Sequence, residues 1–590
     1  MEIKKTYETV KYMTFRQWKY RIFYTIRNMF IKRKPYIDNC IYNVRRIKLN
    51  YSKVILVEDL TEANDILKNK IYSISNRIEK FDKIIDWDMK NEKYRLVCFR
   101  INSFRYLLEL SNAYKSTGNI QYIKKGFELI DNWIAMNCSV IIGDKWNAYV
   151  IADRLMNWIG FISEYSDDNK LHYYSKYIYA QTIELKKSME FQLGANHLLS
   201  EARALMAAGA FINNKKIYEY GKKTLLSEYK IQFLGDGGHY ERSISYHVES
   251  LQQYFEAVCI MTEIHDNDVY KFIDMIKKSY IFLNKMIGVN GEIPLFNDAA
   301  VDYPFYNARD FLSTAHYLYT TNPPNGIYGD YYNQWQIKIE KKSSINWEID
   351  DYMKCTGFIH YSFDYDKMAY SLFFDVGDNG PDSNLGHTHA DALSVLLSSK
   401  EKNIFVDSGV FTYKKCQERN ECRSTKAHNT IEIDGKNSAE IWDAFRVAKR
   451  GHSKVDFYNI NTKKMVVKAS HDGYKKIIGD SLIHNREVNV LVHEGKIIVS
   501  DEVECKKSHK AVLRYHIAPE CIIKQISSNE CLIDDIYLVN ISIPLKLVRC
   551  KVAQRFGIVS DSWCIESEFN TNKTKKITTS IKIKEKMKND

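Results

Sequence analysis

The sequence predicts a multidomain α + β protein, with a helical part followed by a part built from antiparallel strands. The chain has 590 residues, which is more than one hydrophobic core usually accommodates. Apolar residues recur every three or four positions from about residue 60 to residue 320, as they do in amphipathic helices. From Gly357 onward, short runs rich in Val, Ile and Tyr alternate with turns, which is typical of a β-sandwich.

Residues 1–50 form a basic segment rich in aromatic side chains, and we expect it to be helical. A helix docked on its own domain is the interpretation we favour, and an amphipathic helix at a membrane surface is the alternative. The segment has no apolar core followed by a small-residue cleavage site, and no run of about 18 apolar residues occurs in the chain. We therefore expect a cytoplasmic protein without a transmembrane segment, with peripheral membrane contact as the alternative.

Residues 51–335 are expected to form the helical domain. Breaks between the periodic stretches carry Gly, Asn and Asp, as in Ser116-Thr117-Gly118-Asn119, and short breaks favour antiparallel helix pairs. The predicted helices are Tyr94–Ser116, Ile120–Met136, Ala148–Glu164, Tyr173–Gln192, His197–Ile212, Lys216–Tyr229, Ile244–His265 and Val269–Ile287. A linker-like stretch from about residue 320 to Asp351 follows them.

Residues 350–590 are expected to form the sandwich. Turns such as Asp434-Gly435 and Glu494-Gly495 separate its strands. The predicted strands include Met368–Val376, Leu393–Leu397, Asn403–Val406, Thr430–Ile433, Lys464–Ser470, Glu487–His493, Lys496–Val503, Ala511–Ile517 and Ile577–Ile583.

The net charge and the cysteine spacing indicate which kinds of partner and which redox environment suit the chain. The formal net charge of +12 favours an acidic partner, and nothing in the sequence resembles a nucleic-acid-binding module. The 12 cysteines show neither a CxxC pair nor a regular spacing, which is typical of reduced thiols rather than of a disulfide scaffold. The sequence does not indicate the oligomeric state.

A cluster of histidines and aspartates opens the sandwich and is the strongest chemical signal in the chain. His387 and His389 lie two apart on an extended segment and so point to the same side. Asp407 ends an apolar run and His428 opens a strand, and both residues could converge on His387 and His389. Imidazoles plus a carboxylate are a ligand set that suits zinc. A polar network joining three strands is the structural alternative.

The helical part contains three further candidates. Asn196 and His197 precede a helix rich in small residues, where Asn196 could equally be a helix N-cap. The stretch 236–247 places two Gly, two His, two Tyr and an Arg at a helix start. Arg154 and Trp158 share a helix face, which suits a sugar platform with a carboxylate clamp but more often forms an ordinary cation–π pair.

Six segments together resemble the heparinase II/III-like polysaccharide lyases. They occur in the family's order and span roughly residues 100 to 520. They are Asn196-His197, Asp236-Gly237-Gly238 through Tyr246-His247, Pro294-Leu295-Phe296-Asn297-Asp298, Gly386-His387-Thr388-His389-Ala390-Asp391, Val406-Asp407-Ser408-Gly409 and Ala427-His428-Asn429-Thr430. The resemblance implies an incomplete (α/α) toroid followed by an antiparallel β-sandwich. It also implies β-elimination in a uronic-acid-containing anionic polysaccharide.

The resemblance also implies roles for individual residues. Asn196 would neutralise the substrate carboxylate, Tyr246 would serve as base or acid at the leaving oxygen, and His387 would be the catalytic histidine from the sandwich. The implied structural zinc ligands are His389, Asp407 and His428. The implied subsite residues are His197, Tyr240, Arg242 and Arg154, and Tyr240 is the second candidate for the role of Tyr246.

Three functions remain open on the sequence. The first is a lyase, and since no export signal is found, its substrate could be a nascent surface polysaccharide or exopolysaccharide. The second is a non-catalytic polysaccharide-binding or assembly protein that uses the same groove. The third is metal-dependent hydrolysis, which needs an open zinc position facing the groove.

Overall fold

The fold is described by a computed structural model that covers residues 2–29, 34–37, 43–47, 49, 59–74, 77–81, 85–89, 95–301, 311, 346, 348–572 and 576–585. Helices dominate up to residue 285 and strands dominate from residue 352. This order confirms the α + β class expected from the sequence. The predicted loop near Pro323, most of the linker and the boundary at residue 335 lie outside the described residues.

In the helical domain, several consecutive helices joined by short turns pack against each other. Its described helices are α1 (Glu2–Val10), α2 (Phe15–Met29), α3 (Thr61–Leu67), α4 (Arg95–Asn102), α5 (Tyr106–Thr117), α6 (Gln121–Asn137), α7 (Ala148–Tyr165), α8 (Asp168–Ser188), α9 (Ala195–Phe211), α10 (Lys215–Gln232), α11 (Ile244–Glu263) and α12 (Val269–Lys285). A small hairpin, β1 (Lys70–Ile74) with β2 (Arg77–Lys80), lies between α3 and α4. The stretch expected to be one helix, Tyr94–Ser116, forms α4 and α5 because Phe104 adopts a left-handed backbone conformation between them.

Helix α9 lies at the centre of the domain and packs against α7, α8, α10 and α11. Nearly all of its side chains are buried, and many of them are alanines. The small residues allow close approach of the neighbouring helix, since a Cβ added to Gly209 would lie 2.4 Å from the backbone nitrogen of Tyr218 on α10. The first turn of this central helix carries Asn196 and His197.

Helices α1 and α2 contact both domains of the protein. On the helical side, Arg16 forms an ion pair with Glu228 at 2.5 Å, and the ring of Tyr20 stacks on Phe191. On the strand side, the Gln17 amide donates to the Ser383 carbonyl at 3.1 Å. Helix α2 is therefore docked on its own protein through one face, which agrees with the interpretation favoured from the sequence. Among the described helices, none is both long and apolar enough to cross a bilayer.

The C-terminal domain is a sandwich whose sheets share one hydrophobic core. All strand pairings are antiparallel. An eight-stranded sheet is accompanied by a five-stranded sheet and a four-stranded sheet. Alternate residues of Ile483–Leu491 and Lys496–Glu504 are buried, as expected for strands with one face on the core.

The elements of this domain are β3 (Tyr352–Met353), β4 (Phe358–Tyr365), β5 (Met368–Asp375), β6 (Val395–Ser399), β7 (Asn403–Phe405), α13 (Gln417–Cys422), β8 (Ile431–Ile433), β9 (Ile441–Asp443), β10 (Arg446–Val447), β11 (Ser453–Asn461), β12 (Lys464–His471), α14 (Gly473–Ile478), β13 (Ile483–Leu491), β14 (Lys496–Glu504), β15 (Lys510–His516), β16 (Ile523–Gln525), β17 (Glu530–Ile533), β18 (Tyr537–Ile541), β19 (Lys546–Arg555), β20 (Ile558–Asn570) and β21 (Lys576–Ile583). The eight-stranded sheet has the order β11-β12-β13-β14-β21-β18-β17-β16, the five-stranded sheet the order β3-β4-β5-β6-β7 and the four-stranded sheet the order β19-β20-β15-β8. Strands β9 and β10 form a separate two-stranded hairpin.

The turn Asp236-Gly237-Gly238 joins the two domains. One carboxylate oxygen of Asp236 accepts hydrogen bonds from the backbone nitrogens of Cys355 and Thr356, at 2.8 and 2.7 Å. Gly237 has a φ of +93°, and a Cβ at Gly238 would lie 2.2 Å from the Thr356 side chain. Glycine at 238 therefore lets the turn pack against the loop between β3 and β4. Glycine at 237 lets it pack against α12, where a Cβ would lie 2.4 Å from the Lys278 carbonyl oxygen.

Candidate active site

The candidate site lies where the first turns of α9 and α11 face loops of the sandwich. The helical domain contributes Asn196, Tyr246 and the loop that ends at Asp298. The sandwich contributes His387 and the segment after β7. The structure thus brings together the three residues expected to be catalytic, although they are far apart in the sequence.

The carboxylate of Asp298 is the centre of this site. It accepts hydrogen bonds from His387 Nδ1 at 2.9 Å and from His389 Nε2 at 2.8 Å, and it forms a two-point ion pair with the Arg419 guanidinium. Burial alone would raise the pKa of this carboxyl, but Arg419 and the two histidines outweigh it and hold the pKa well below its usual range. Asp298 is therefore ionised and holds both imidazoles in fixed orientations.

Tyr246 lies directly against His387. Their ring centroids are 3.8 Å apart and their planes are 28° from parallel. The Tyr246 hydroxyl is 2.9 Å from the hydroxyl of Tyr413, a residue that follows the β7 segment. Because Asp298 occupies Nδ1 of His387, Nε2 is the ring nitrogen that remains for a substrate. A phenol and an imidazole nitrogen are thus placed side by side.

Asn196 is held in the same region by α11. Its Nδ2 donates to Glu249 Oε2 at 3.0 Å, and Glu249 lies one helical turn beyond Tyr246. The other oxygen of Glu249 accepts from the Tyr149 hydroxyl at 3.0 Å. Asn196 lies inside α9, whose N-cap is Gly194, so the alternative that Asn196 caps the helix is wrong. The second N–H of its amide is available to an anionic ligand.

His197 is a half-buried neighbour of this amide. Its Nδ1 is 2.7 Å from Glu190 Oε2, and its ring stacks on Tyr149 at 4.3 Å. Burial lowers the pKa of His197, but the ion pair with Glu190 outweighs burial and leaves the pKa raised. A positive charge beside Asn196 suits an anionic substrate, and the subsite role of His197 stays a prediction.

Tyr240 and Arg242 lie on the turn that leads into α11. The Tyr240 hydroxyl accepts a hydrogen bond from the Ala195 backbone nitrogen at 3.1 Å, and no contact with His387 is described for it. The Arg242 guanidinium donates to the carbonyls of Asp378 and Cys355 in the sandwich. Tyr246 is therefore better placed for proton transfer than Tyr240, and Arg242 also joins the two domains.

The position of Arg154 corrects the expectation that it contacts substrate. It is fully buried within the helical domain, where it donates to Gln181 and to the carbonyls of Asn102 and Lys145. Its guanidinium lies 4.0 Å from the centroid of the Trp133 ring. Periodicity placed Arg154 on a helix face but did not indicate that α4 and α6 cover that face. Arg154 is a packing residue.

His389, Asp407 and His428 form the candidate metal site. All three are buried, and one potential ligand atom from each lies within 4.8 Å of the others. Nδ1 of His389 and Nε2 of His428 are buried ring nitrogens without a hydrogen-bond partner. Burial lowers the pKa of His389 more than its bond to Asp298 raises it, which favours the neutral imidazole that a metal needs. Burial also acts to lower the pKa of His428, but Asp407 outweighs it and the pKa is raised, so a bound cation would have to displace that proton. These donors fit a divalent ion, and the polar-network alternative leaves both nitrogens unexplained.

Three non-glycine residues of the site have left-handed backbones, namely Ala195, Arg242 and Asn297. Each is adjacent to, or within a few residues of, a side chain described above. The Asn297 side chain is used within the loop, because its Oδ1 accepts from the His389 backbone nitrogen at 2.8 Å. Such conformations cost free energy and persist where the surrounding contacts hold them. They place Asn196, Tyr246 and Asp298 rigidly.

Several residues of the site carry no role in the sequence interpretation. Asp298 is the last residue of Pro294-Leu295-Phe296-Asn297-Asp298, a segment of the family resemblance, and that motif could have indicated its role. Arg419, Tyr413 and Glu249 gave no signal, since their positions depend on tertiary contacts. Phe445, at the tip of the β9–β10 hairpin, is exposed and lies 6.0 Å from the His387 ring. An exposed aromatic residue at a hairpin tip is a signal for a sugar-binding platform.

Glu241 is a further buried acid near these residues. Neither carboxyl oxygen has a hydrogen-bond partner among the described residues, and the nearest ring nitrogen, Nδ1 of His239, is 3.7 Å away. Burial raises the pKa of Glu241, which favours the neutral acid.

Two family models match the chain and together span most of it. Residues 7–320 match the heparinase II/III N-terminus, and residues 353–588 match the heparinase II/III-like C-terminal domain. Residues 321–352, between the helical domain and the sandwich, separate the two matched ranges.

Curated relatives and solved structures agree with these matches. A heparin-sulfate lyase from Bacteroides stercoris is 21% identical over 447 residues, covering 67% of this chain and 63% of the relative. One from Bacteroides thetaiotaomicron is 23% identical over 292 residues, covering 45% and 40% of the two chains. The chain thus spans less than two thirds of these relatives. A crystal structure of heparinase III aligns with a TM-score of 0.69 at 17% identity, covering 92% of this chain and 87% of that one.

Proposed function

The chain belongs to the heparinase II/III family, and we propose that it is a polysaccharide lyase that cleaves a uronic-acid-containing polymer by β-elimination. The observation that carries this proposal is the contact between Tyr246 and His387 across the two domains, 3.8 Å between ring centroids. This contact places the phenol of Tyr246 next to the imidazole of His387, so that an acid and a base lie side by side. Asn196, tied to α11 one turn further on, supplies the amide that such a reaction needs.

The first requirement of the reaction is to acidify the proton on C5 of the uronate. That proton is adjacent to a carboxylate, and it becomes acidic only when the carboxylate charge is offset. Asn196 has a free N–H for this purpose because Glu249 uses only one of its two amide hydrogens. His197 follows Asn196 directly, and its contact with Glu190 raises its pKa against the effect of burial, which favours a protonated ring beside the amide.

The second requirement is to move two protons. With Asp298 on Nδ1, His387 offers the Nε2 lone pair to take the C5 proton, and the electrons of the C5–H bond form the C4–C5 double bond. The bond between C4 and O4 breaks, and Tyr246 donates its phenolic proton to O4. Tyr413, at 2.9 Å from the Tyr246 hydroxyl, is placed to donate a hydrogen bond to the resulting phenolate, and the proton held on His387 returns to that phenolate through solvent after product release. The products are an unsaturated uronate and a free hydroxyl end.

We further propose that the metal triad holds a zinc ion with a structural role. His389, Asp407 and His428 would bind it, and a bound ion would fix the segment that carries His387 two residues before His389. Support comes from the two unpartnered buried ring nitrogens. No step of the elimination requires the ion.

The substrate class rests on the relatives and on the site. The curated relatives are named heparin-sulfate lyases, and this supports the proposal that the substrate is a glycosaminoglycan-like uronate polymer. A surface polysaccharide or exopolysaccharide of the source cell is the specific substrate that we propose to test alongside heparan sulfate. The uronate of such a polymer would contact the Asn196 amide, the His387 imidazole and the Tyr246 phenol.

The test is an ultraviolet assay for unsaturated uronate. Purified protein is incubated with heparan sulfate, hyaluronan, chondroitin, alginate and the source cell's own exopolysaccharide. We expect absorbance to rise with one of these polymers and kcat to fall by about 10²- to 10⁴-fold in Tyr246→Phe, since that change removes one acid–base group. Polymer binding by the variant should be retained.

Tyr240→Phe is the matched control, because it removes a phenolic hydroxyl six residues before Tyr246, on the turn that leads into α11. Its hydroxyl only accepts from the Ala195 backbone, so we expect a loss smaller than about tenfold. A larger loss in Tyr240→Phe than in Tyr246→Phe would exchange their roles. Polymer binding without product in the wild type would favour the assembly function, and new reducing ends without the chromophore would favour hydrolysis.

A further inference from the structure

Helix α2 presents its apolar side to solvent, the reverse of an ordinary surface helix. Phe15, Trp18, Ile22, Phe23 and Ile26 are all exposed, with values between 43% for Trp18 and 84% for Phe15. Their spacing of three and four residues places them on one side of the helix. Scattered exposed apolar residues are normal, but a continuous stripe along one helix marks a surface that contacts something apolar.

The opposite side of α2 faces the protein and is largely polar. Arg16 and Arg27 form ion pairs with Glu228 and Glu184, at 2.5 and 2.8 Å. The Tyr24 hydroxyl donates to the Met189 carbonyl. The helix is therefore held with a fixed orientation, and its apolar stripe cannot reach the protein core by a simple rotation without losing these bonds.

Helix α1 extends the same kind of surface. Ile3 and Tyr7 are exposed, while Thr9 donates to the Val447 carbonyl at 3.1 Å and accepts from the Trp442 indole at 3.1 Å. Arg450 donates to the Glu8 carbonyl at 3.1 Å. Both helices are thus attached to the protein on one side and expose large apolar side chains on the other.

Positive charge surrounds this apolar stripe. Residues 1–34 contain ten lysines and arginines against two glutamates, a formal charge of +8 within a chain total of +12. Lys4, Lys11, Lys19 and Arg21 are exposed on α1, on α2 and between them. Aromatic and aliphatic side chains bordered by lysine and arginine are the combination that binds the headgroup region of an anionic bilayer.

We propose that α1 and α2 form a docking surface for an anionic lipid membrane, with the apolar side of α2 inserted at the level of the headgroups. A second copy of the chain would bring two strongly positive surfaces together, which charge repulsion opposes. An acidic polysaccharide would satisfy the lysines but would leave the isoleucines and phenylalanines in water. A bilayer with anionic lipids satisfies both sets of side chains. This surface is independent of the proposed lyase activity.

The test is co-sedimentation of the full chain with lipid vesicles. We expect binding to vesicles of phosphatidylcholine mixed with phosphatidylserine, weak binding to phosphatidylcholine alone, and weaker binding as salt is raised. Ile22→Ser with Ile26→Ser should lower the partition coefficient by at least about tenfold, since two inserted side chains are lost. Lys19→Glu with Arg21→Glu should lower it by a similar factor, and only on the anionic vesicles.

A matched control is available on the sandwich. Ile522 and Ile526 flank β16 and are exposed at 67% and 53%, similar to the residues on α2. Ile522→Ser with Ile526→Ser should leave vesicle binding unchanged. All three double variants change exposed residues, and melting temperatures equal to that of the wild type would verify that they fold.

Two results would overturn the proposal. One is the absence of wild-type binding to the anionic vesicles at low salt. The other is a dimer in sedimentation velocity that Ile22→Ser with Ile26→Ser dissociates, because the stripe would then be an interface between copies. Neither result bears on elimination, which the ultraviolet assay measures without lipid.

Discussion

Asp298 shows how one carboxylate can serve two sites. Its two oxygens orient His387, which belongs to the proposed chemistry, and His389, which belongs to the metal triad. Arg419 balances its charge in a fully buried position. A change at the metal triad should therefore alter the position of the His387 imidazole, because Asp298 contacts both His389 and His387.

Metal removal tests this connection. We expect a chelator to lower the melting temperature of the wild type by about 5 °C, because a ligand bound only by the folded state stabilises it. We expect kcat to fall as well, because His389 loses its fixed position next to Asp298. Calorimetry measures the melting temperature, elemental analysis measures the bound metal, and the ultraviolet assay measures kcat.

Asp407→Ala is the comparison variant for the chelation experiment. It removes one ligand of the triad, so its melting temperature should already be low and should not respond to chelator. The metal proposal is wrong if the purified wild type contains no metal and its melting temperature is unaffected by added zinc or by chelator.

At the scale of elements, the sandwich contains a histidine that joins two turns. His509 lies before β15, with Nδ1 at 2.6 Å from Asp434 and Nε2 at 3.1 Å from Asp480. Burial lowers the pKa of His509, but the hydrogen bonds to the two aspartates outweigh it and the pKa is raised. The hydrogen bond from His509 in turn lowers the pKa of Asp480.

This arrangement predicts a pH-dependent stability. A group whose pKa is raised by folding contributes stability that is fully present below its unfolded pKa, about 6.5 for histidine, and that disappears as pH rises through the folded value. The difference in melting temperature between wild type and His509→Gln should therefore be larger at about pH 6 than at about pH 9. Thermal unfolding at the two pH values measures it.

His493→Gln is a suitable control, since His493 is exposed on a turn of the same sandwich. It should show little difference from the wild type at either pH. An equal effect of His509→Gln at both pH values would contradict a charged His509 between the two aspartates.

Most elements could be predicted because periodicity is a local property. The helix predicted at Ile244 begins there, and the predicted strand Lys496–Val503 is β14 with one more residue. The break at Phe104 was missed because a left-handed residue leaves no signal in apolar spacing. Arg154 was misinterpreted because burial by α4 and α6 is a tertiary property. Arg419 and Tyr413 reach the site only through the folding of the sandwich.

At the scale of the whole molecule, the proposed site exists only where the two domains meet. The helical domain supplies Asn196 and Tyr246, the sandwich supplies His387, and Asp236 holds the domains together through Cys355 and Thr356. The position of this junction should therefore affect both stability and catalysis.

Asp236→Ala tests the junction. It removes three hydrogen bonds to the sandwich, two from backbone nitrogens and one from the Thr356 hydroxyl. We expect the free energy of unfolding to fall by about 3 kcal/mol, because hydrogen bonds to a charged group are lost at a partly buried position. We also expect a lower kcat/KM for the polymer. Urea denaturation and the ultraviolet assay measure the two effects.

Asp364→Ala is the control for the junction, because Asp364 is an exposed residue of β4. Its unfolding free energy should change by less than about 0.5 kcal/mol. A kcat/KM unchanged in Asp236→Ala, despite a clear loss of stability, would mean that the junction does not govern the site.

The bridge that α1 and α2 make between the domains has a mechanical consequence. Beside it, the Asn384 amide of the sandwich donates to the Leu193 carbonyl of the helical domain at 3.4 Å, three residues before His387 and three before Asn196. The two domains are thus joined next to the residues proposed to be catalytic, and Asp236 and Arg242 join them a second time at the turn before α11. Because the domains are held at both places, we expect the spacing of Asn196, Tyr246 and His387 to change little when a polymer binds.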